Sequence, residues 1–116
     1  MAQPLDIVVE DLIRAIEQAQ SFVAGMTFAQ YELAAKTQRA VERCIEVISE
    51  ASRRIPARVK SEHPGIPWSN VAGIGNILRH DYRSLAGRII WDTVDVHLPP
   101  LLRTMRAIEA SLCRET

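Results

Sequence analysis

The chain has 116 residues, of which 47% are hydrophobic, and its formal net charge at pH 7 is zero. This length predicts one domain spanning residues 1–116, large enough to bury a core without disulfides or metal ions. The balanced charge disfavours a general nucleic-acid coat protein, and no apolar stretch approaches the roughly 20 residues that a membrane span needs.

The cysteines and the N-terminus indicate a cytoplasmic protein. Cys44 and Cys113 lie far apart and match no metal-ligand spacing, which is typical of reduced cysteines in a cytosolic chain. Residues 1–6 show no basic stretch followed by an apolar run, so we expect no signal peptide.

The charge is unevenly spread along the chain. Residues 53–88 contain seven arginines and lysines against two carboxylates. This segment is therefore locally positive, and a molecule that binds it is expected to be anionic.

Apolar residues recur at helical spacing along most of the chain. A first helix is predicted over residues 5–23 and ends at Gly25. Thr27, with Gln30 three residues later, matches a capping box, which predicts a second helix that runs unbroken to about Arg54. Two apolar stripes along this second helix predict that it is central and packed on more than one side. They are Tyr31, Ala34, Val41, Ile45 and Ile48, and Leu33, Ala40, Cys44, Val47 and Ala51.

A proline-rich loop separates the second helix from the rest. Residues 56–67 contain three prolines and one glycine, which predicts a loop with one helical turn at Ala57–Ser61.

Because no segment shows strand alternation, the predicted fold class is all-α, an up-and-down bundle of four to five helices. The later helices are predicted from Pro67 to Tyr82, from Ser84 to the Pro99–Pro100 pair that must end or kink it, and from Leu101 to Leu112.

Metal and phosphate-loop chemistry is disfavoured by the spacing of the candidate residues. His63, His80 and His97 have no ligand-type spacing, so neither a metal site nor a cofactor is predicted. Gly73 and Gly75 follow no strand and lack the third glycine of a dinucleotide-binding loop.

The third helix is predicted to finish with Arg79-His80-Asp81-Tyr82, one turn after Asn76. A histidine can exchange protons near neutral pH, and an adjacent arginine can hold a phosphate. We interpret His80 and Arg79 as candidate catalytic residues, supported by Asn76 and Asp81, for cleavage of a phosphodiester by a neighbouring ribose 2′-hydroxyl. The alternative is a polar helix end that fixes the turn into the fourth helix.

Six runs of the sequence occur in an order that indicates a family. They are Thr37–Val41, Ser49–Ala51, Glu62–Trp68, Val71–Tyr82, Ile90–Asp92 and Leu98–Pro99. Together they resemble the HepT-like branch of the HEPN superfamily, the toxin components of prokaryotic HEPN–nucleotidyltransferase (MNT) toxin–antitoxin pairs. The resemblance covers essentially the whole chain.

The resemblance implies a homodimeric bundle whose motif helices meet at the two-fold axis. It also implies a metal-independent RNA endonuclease with an R-x4-H-x-Y motif, in which His80 matches the histidine and Tyr82 the tyrosine. In some of these pairs the nucleotidyltransferase silences the toxin by attaching AMP to this tyrosine, which implies that Tyr82 is an AMP acceptor. The implied partners are a second copy of the chain, an MNT-type nucleotidyltransferase antitoxin, and RNA.

The motif arginine is absent, because Gly75 stands five residues before His80. Arg79 lies one turn beyond Gly75, and helical side chains lean back over the preceding turn. Either Arg79 supplies the missing guanidinium, or the motif has decayed and Arg79 is a solvated charge. Two further alternatives are a non-catalytic module that binds or accepts AMP from a nucleotidyltransferase through Tyr82, and a bundle that binds a small nucleotide between its helices.

Overall fold

The computed structural model describes residues 3–80 and 84–115, and within these ranges the chain is helical and contains no strand. The helices are α1 (Leu5–Val23), α2 (Phe28–Glu32), α3 (Ala35–Ser52), α4 (Ala57–Ser61), α5 (Trp68–His80), α6 (Ser84–Asp92) and α7 (Leu98–Glu115), with a π-helical segment (Thr93–His97) between the last two. This confirms the predicted all-α, HEPN-like bundle. None of the helices in the described ranges is long and apolar enough to cross a membrane.

Helix α1 forms because its apolar residues repeat at steps of three and four, which gives the helix one face to bury. That face packs against α3 and α7, and an ion pair between Glu17 and Arg106 also joins α1 to α7. The helix ends where the sequence predicts, since Gly25 adopts a φ of 78°, a conformation that costs glycine little. The residues of this face that are fully buried include Val9, Leu12, Ile16 and Ala19.

The predicted unbroken helix from Thr27 to Arg54 is wrong, because the chain leaves the helical conformation at Leu33–Ala34. Its start is as predicted. The amide of Gln30 donates to Thr27 Oγ1 at 3.2 Å, and the amide of Thr27 donates to Gln30 Oε1 at 2.9 Å. The capping box therefore begins α2, which is a short helix of its own.

A side chain adds hydrogen bonds to the backbone carbonyls at the end of α2. Gln38 Nε2 donates to the carbonyl oxygens of Tyr31 at 2.7 Å and Glu32 at 2.9 Å. The carbonyls at a helix end need such partners, so the chain can turn here without glycine or proline. As a result Leu33, which the sequence places in a packed stripe, is 89% exposed.

Helix α3 is central, as predicted, since it packs against α1 on one side and α5 on the other. Residues from both predicted stripes are buried in it, including Val41, Ile45 and Cys44. Neither Cys44 nor Cys113 forms a disulfide, which agrees with the expectation of reduced cysteines.

The Pro99–Pro100 pair, which the sequence predicts to end or kink the fourth helix, does not end it, but the helix is distorted directly before the pair. Helical backbone continues from Ser84 to Glu115 without a non-helical residue. Each proline lacks the N–H that would bond to a carbonyl four residues earlier. The helix accommodates this loss by becoming π-helical over Thr93–His97, where the amide of Leu98 donates to the Thr93 carbonyl five residues earlier.

An aromatic cluster joins α2 to α6. The ring centroids of Tyr31 and Trp91 are 5.4 Å apart, Phe28 meets Trp91 edge-on at 5.9 Å, and the guanidinium of Arg88 lies 4.7 Å from the Phe28 centroid. Tyr31 is 1% exposed, and its hydroxyl has no hydrogen-bond partner among the described residues. Burial, together with the Glu42 carboxylate, raises the pKa of Tyr31 to about 12.

Replacing Tyr31 with phenylalanine tests this burial. A buried polar group without a partner costs about 1–3 kcal/mol, so Tyr31→Phe should match or exceed the wild-type free energy of unfolding near neutral pH. Between pH 10 and 12 the unfolded chain releases the phenol proton and the folded chain keeps it, so wild-type stability should fall as the pH rises. The variant should lack this part of the fall in urea unfolding. A variant that is less stable near neutral pH would show that the hydroxyl does have a partner.

Candidate active site on helix α5

Helix α5 packs against α3, and two side chains from α3 and its C-terminal end bond to one backbone carbonyl of α5. Ser49 of α3 is 4% exposed, and its Oγ donates to the carbonyl oxygen of Ala72 at 2.5 Å. Arg53, at the end of α3, donates from Nη2 to the same oxygen at 2.9 Å. A side chain as short as serine reaches this carbonyl because the two backbones approach closely, and both Ala72 and Gly75 are small. Gly75 itself is buried.

The start of α5 is held by the preceding loop. Trp68 Nε1 donates to the carbonyl oxygen of His63 at 3.1 Å, and the ammonium of Lys60 lies 6.0 Å from the Trp68 ring centroid. The backbone amide of Val71 donates to the Pro67 carbonyl at 3.1 Å, which begins the helical hydrogen bonding. The loop and α3 together fix the N-terminal half of α5.

The predicted catalytic residues lie at the other end of this helix. Arg79 and His80 are the last two residues of α5, and the exposed Asn76 precedes His80 by one turn. The structure therefore brings Asn76, Arg79 and His80 together on the C-terminal turn of one anchored helix. Asp81 and Tyr82 lie outside the described residues, so their roles stay predictions.

Other polar groups that could suggest a site have structural partners. On α3, Glu46 lies 3.6 Å from Arg43, and Glu50 lies 3.4 Å from Arg54. Among the side chains that the structure describes, no group of three or more histidine, cysteine or acidic residues is arranged to hold a metal ion. The acid pair on α3 is thus part of a solvated rim.

A cavity of about 250 Å³ opens between α3, α5 and the start of α7. Asn70, Thr93 and His97 are its polar lining residues, and none of the described residues that line it is a lysine or arginine. The described lining of this cavity therefore offers no strong phosphate ligand. The apolar lining residues are Ile45, Ile48, Pro67, Val71, Ile74, Leu98 and Leu101.

Sequence reasoning did not identify Arg53 as part of this region. Its signal is the Ser49-x3-Arg53 spacing, which places both side chains on one face of α3. Spacing within α3 cannot show which helix that face meets. The packing of α5 against α3 shows that Ser49 and Arg53 share the carbonyl of Ala72 as their acceptor.

These features define the class of protein as an all-α, HEPN-like bundle with a histidine at the end of a tightly held helix. A family model described as "Ribonuclease HepT-like" matches residues 12–108, and the chain belongs to this family.

Two of the similar proteins show how far the similarity extends. "Probable ribonuclease HepT" of Thermococcus cleftensis is 39% identical over 92 residues, which cover 79% of this chain and 84% of that protein. "Putative RNase MJ0127" of Methanocaldococcus jannaschii is 32% identical over 98 residues, which cover 84% of this chain and 81% of that protein. No solved structure gives a significant match.

Proposed function

We propose that this chain is an RNA endonuclease in which His80 moves the proton of a ribose 2′-hydroxyl. The observation that supports this most directly is that α5 carries His80 one turn after the exposed Asn76, in a chain of the ribonuclease HepT-like family. RNA is found in the cytosol, so we place the activity there.

The proposed reaction needs no group beyond the chain and the RNA. The 2′-oxygen attacks the adjacent phosphorus, the bond from phosphorus to the 5′-oxygen breaks, and the products are a 2′,3′-cyclic phosphate and a 5′-hydroxyl. His80 accepts the 2′-hydroxyl proton as a general base, and in its protonated form it can return a proton to the leaving 5′-oxygen. A guanidinium is required to balance the charge on the phosphate, and Arg79 is the group that the sequence offers.

Cleavage of a single-stranded RNA oligonucleotide by the purified chain tests the proposal. His80→Ala should lower the rate by on the order of 10²–10⁴-fold, because a positioned acid or base typically contributes that much. The wild-type rate should persist with a chelator present. A substrate with a 2′-deoxy sugar at the cleaved position should remain intact. Cleavage of this deoxy substrate, or an unaffected His80→Ala variant, would contradict the mechanism.

We also propose that the chain acts as a homodimer that joins two α5 helices. On α5, Asn70 and Asn76 are exposed, so this helix offers polar surface to a second copy. Twofold-symmetric dimers are the commonest oligomers.

Sedimentation at micromolar concentration should show the mass of two chains. Asn76→Arg would place two like charges near the proposed axis and should shift the equilibrium toward monomer, whereas Arg14→Glu on α1 should not. A monomeric wild type would contradict the shared site.

A toxin–antitoxin role is the wider proposal, with a nucleotidyltransferase as the antitoxin and Tyr82 as its AMP acceptor. The observation that favours a non-catalytic acceptor module as the second candidate is Gly75, since it removes the motif arginine. AMP on Tyr82 would add a phosphate next to Arg79 and His80 in the sequence and compete with RNA for the same charges.

If the gene beside this chain encodes a nucleotidyltransferase, co-expression with that enzyme should add one AMP, detected by intact-mass spectrometry and located on Tyr82 by peptide mapping. Tyr82→Phe should abolish the adduct, and the adduct should suppress RNA cleavage. Growth arrest by the chain alone, relieved by the partner, would support the toxin role. An adduct without any effect on RNA or growth would favour the acceptor module, and no adduct at all would contradict both.

A further inference from the structure

Arg53 is the exposed arginine that contacts α5 from the neighbouring helix. Its Nη2 lies 2.9 Å from the carbonyl oxygen of Ala72, and the guanidinium forms no ion pair with a described carboxylate. The next residue, Arg54, does have a carboxylate partner, since it pairs with Glu50 at 3.4 Å, and it also donates to Gln3 at 3.1 Å. Two adjacent arginines thus have different surroundings, and the charge of Arg53 is not neutralised within the described part of the chain.

The position of this guanidinium relates to the missing motif arginine. In an α-helix the carbonyl of Ala72 points toward the amide of Asn76, and Gly75 lies three residues further along the same face. A side chain at position 75 would lean back over the preceding turn, where Ala72 lies. The guanidinium of Arg53 therefore contacts the same turn of α5 that an arginine at position 75 would lean over.

The hydrogen bonding leaves Arg53 able to bind a second group. A guanidinium has five N–H donors, and the contact with Ala72 uses one of them. If Arg53 turns toward a phosphate, the Ala72 oxygen still accepts from Ser49 at 2.5 Å. The carbonyl is therefore not left without a partner, and the exchange costs little.

We infer that Arg53, at the C-terminal end of α3, supplies the phosphate-binding guanidinium that α5 lacks because Gly75 stands at the position of the motif arginine. This inference rests on the proposed RNA cleavage and names a residue that contacts the RNA phosphate while His80 moves the proton. The fork of a guanidinium matches two phosphate oxygens, so Arg53 would both position the RNA and balance charge during the attack.

Five proteins test the inference: wild type, Arg53→Ala, Arg53→Gln, Arg79→Ala and Arg54→Ala. Each is assayed for cleavage of a single-stranded RNA oligonucleotide and for binding of an uncleavable 2′-deoxy analogue across a range of salt concentrations. Arg54→Ala is the matched control, since it removes the adjacent charge. Arg53→Gln keeps an amide donor for the Ala72 carbonyl without the charge, and thermal unfolding of every variant reports whether the fold is retained.

We expect Arg53→Ala and Arg53→Gln to lower the cleavage rate by on the order of 10²–10³-fold, as loss of other transition-state donors does. Both should reduce the salt slope of binding by roughly 0.7, the value for one phosphate contact on a single strand. Arg54→Ala should keep the wild-type rate and slope.

Three results would overturn the inference. If Arg53→Gln cleaves like wild type while Arg53→Ala does not, Arg53 acts through its hydrogen bond to α5. If both Arg53 variants cleave normally and Arg79→Ala does not, the guanidinium comes from Arg79. If the wild type binds the analogue and the Arg53 variants show the same salt slope of binding, Arg53 does not contact a phosphate. A wild type that binds with an Arg53-dependent slope but does not cleave would refute the proposed nuclease and retain the phosphate contact.

Discussion

The carbonyl of Ala72 is the contact on which the candidate site depends. Ser49 and Arg53 both donate to it, and they come from α3, the helix that also packs against α1. Because a helix is stiff and rises 1.5 Å per residue, anchoring Ala72 also sets where His80 stands, about 12 Å further along the axis. Any chemistry at the end of α5 therefore inherits its position from a hydrogen bond two turns away.

Two departures from regular helix geometry lie elsewhere in the bundle, and each has a local cause. At the end of α2 the side-chain amide of Gln38 donates to the carbonyls of Tyr31 and Glu32. Before Pro99 the helix widens to the π form, so that the loss of two backbone N–H donors does not interrupt the helix. In both cases polar backbone groups must be satisfied, and this requirement outweighs the tendency of the apolar pattern to continue as one regular helix.

The positive charge of residues 53–88 is less available than its total suggests. Arg54 pairs with Glu50, and Arg88 lies 3.4 Å from Asp92 while it also covers the Phe28 ring. Exposed pairs of this kind contribute little to stability, but they reduce the charge that a ligand meets. Arg53 is different, because its described contact is with a neutral carbonyl. A charge count made on the sequence treats these arginines as equal. In the structure they differ, because Arg54 and Arg88 have carboxylate partners and Arg53 has a neutral one.

The sequence by itself determined the helical class, the extent of α1, the single turn of α4 and the HepT-like family pattern around His80. These features depend on spacing and local chemistry, such as the three-and-four repeat of α1 and the freedom of Gly25 to adopt a positive φ. Tertiary structure decided the break before α3, the continuous helix through Pro99–Pro100, and the contact of Arg53 with α5. Each of these features depends on which hydrogen bonds form between groups that are distant in sequence or that compete for the same partner. The spacing of apolar residues within one segment therefore cannot predict them.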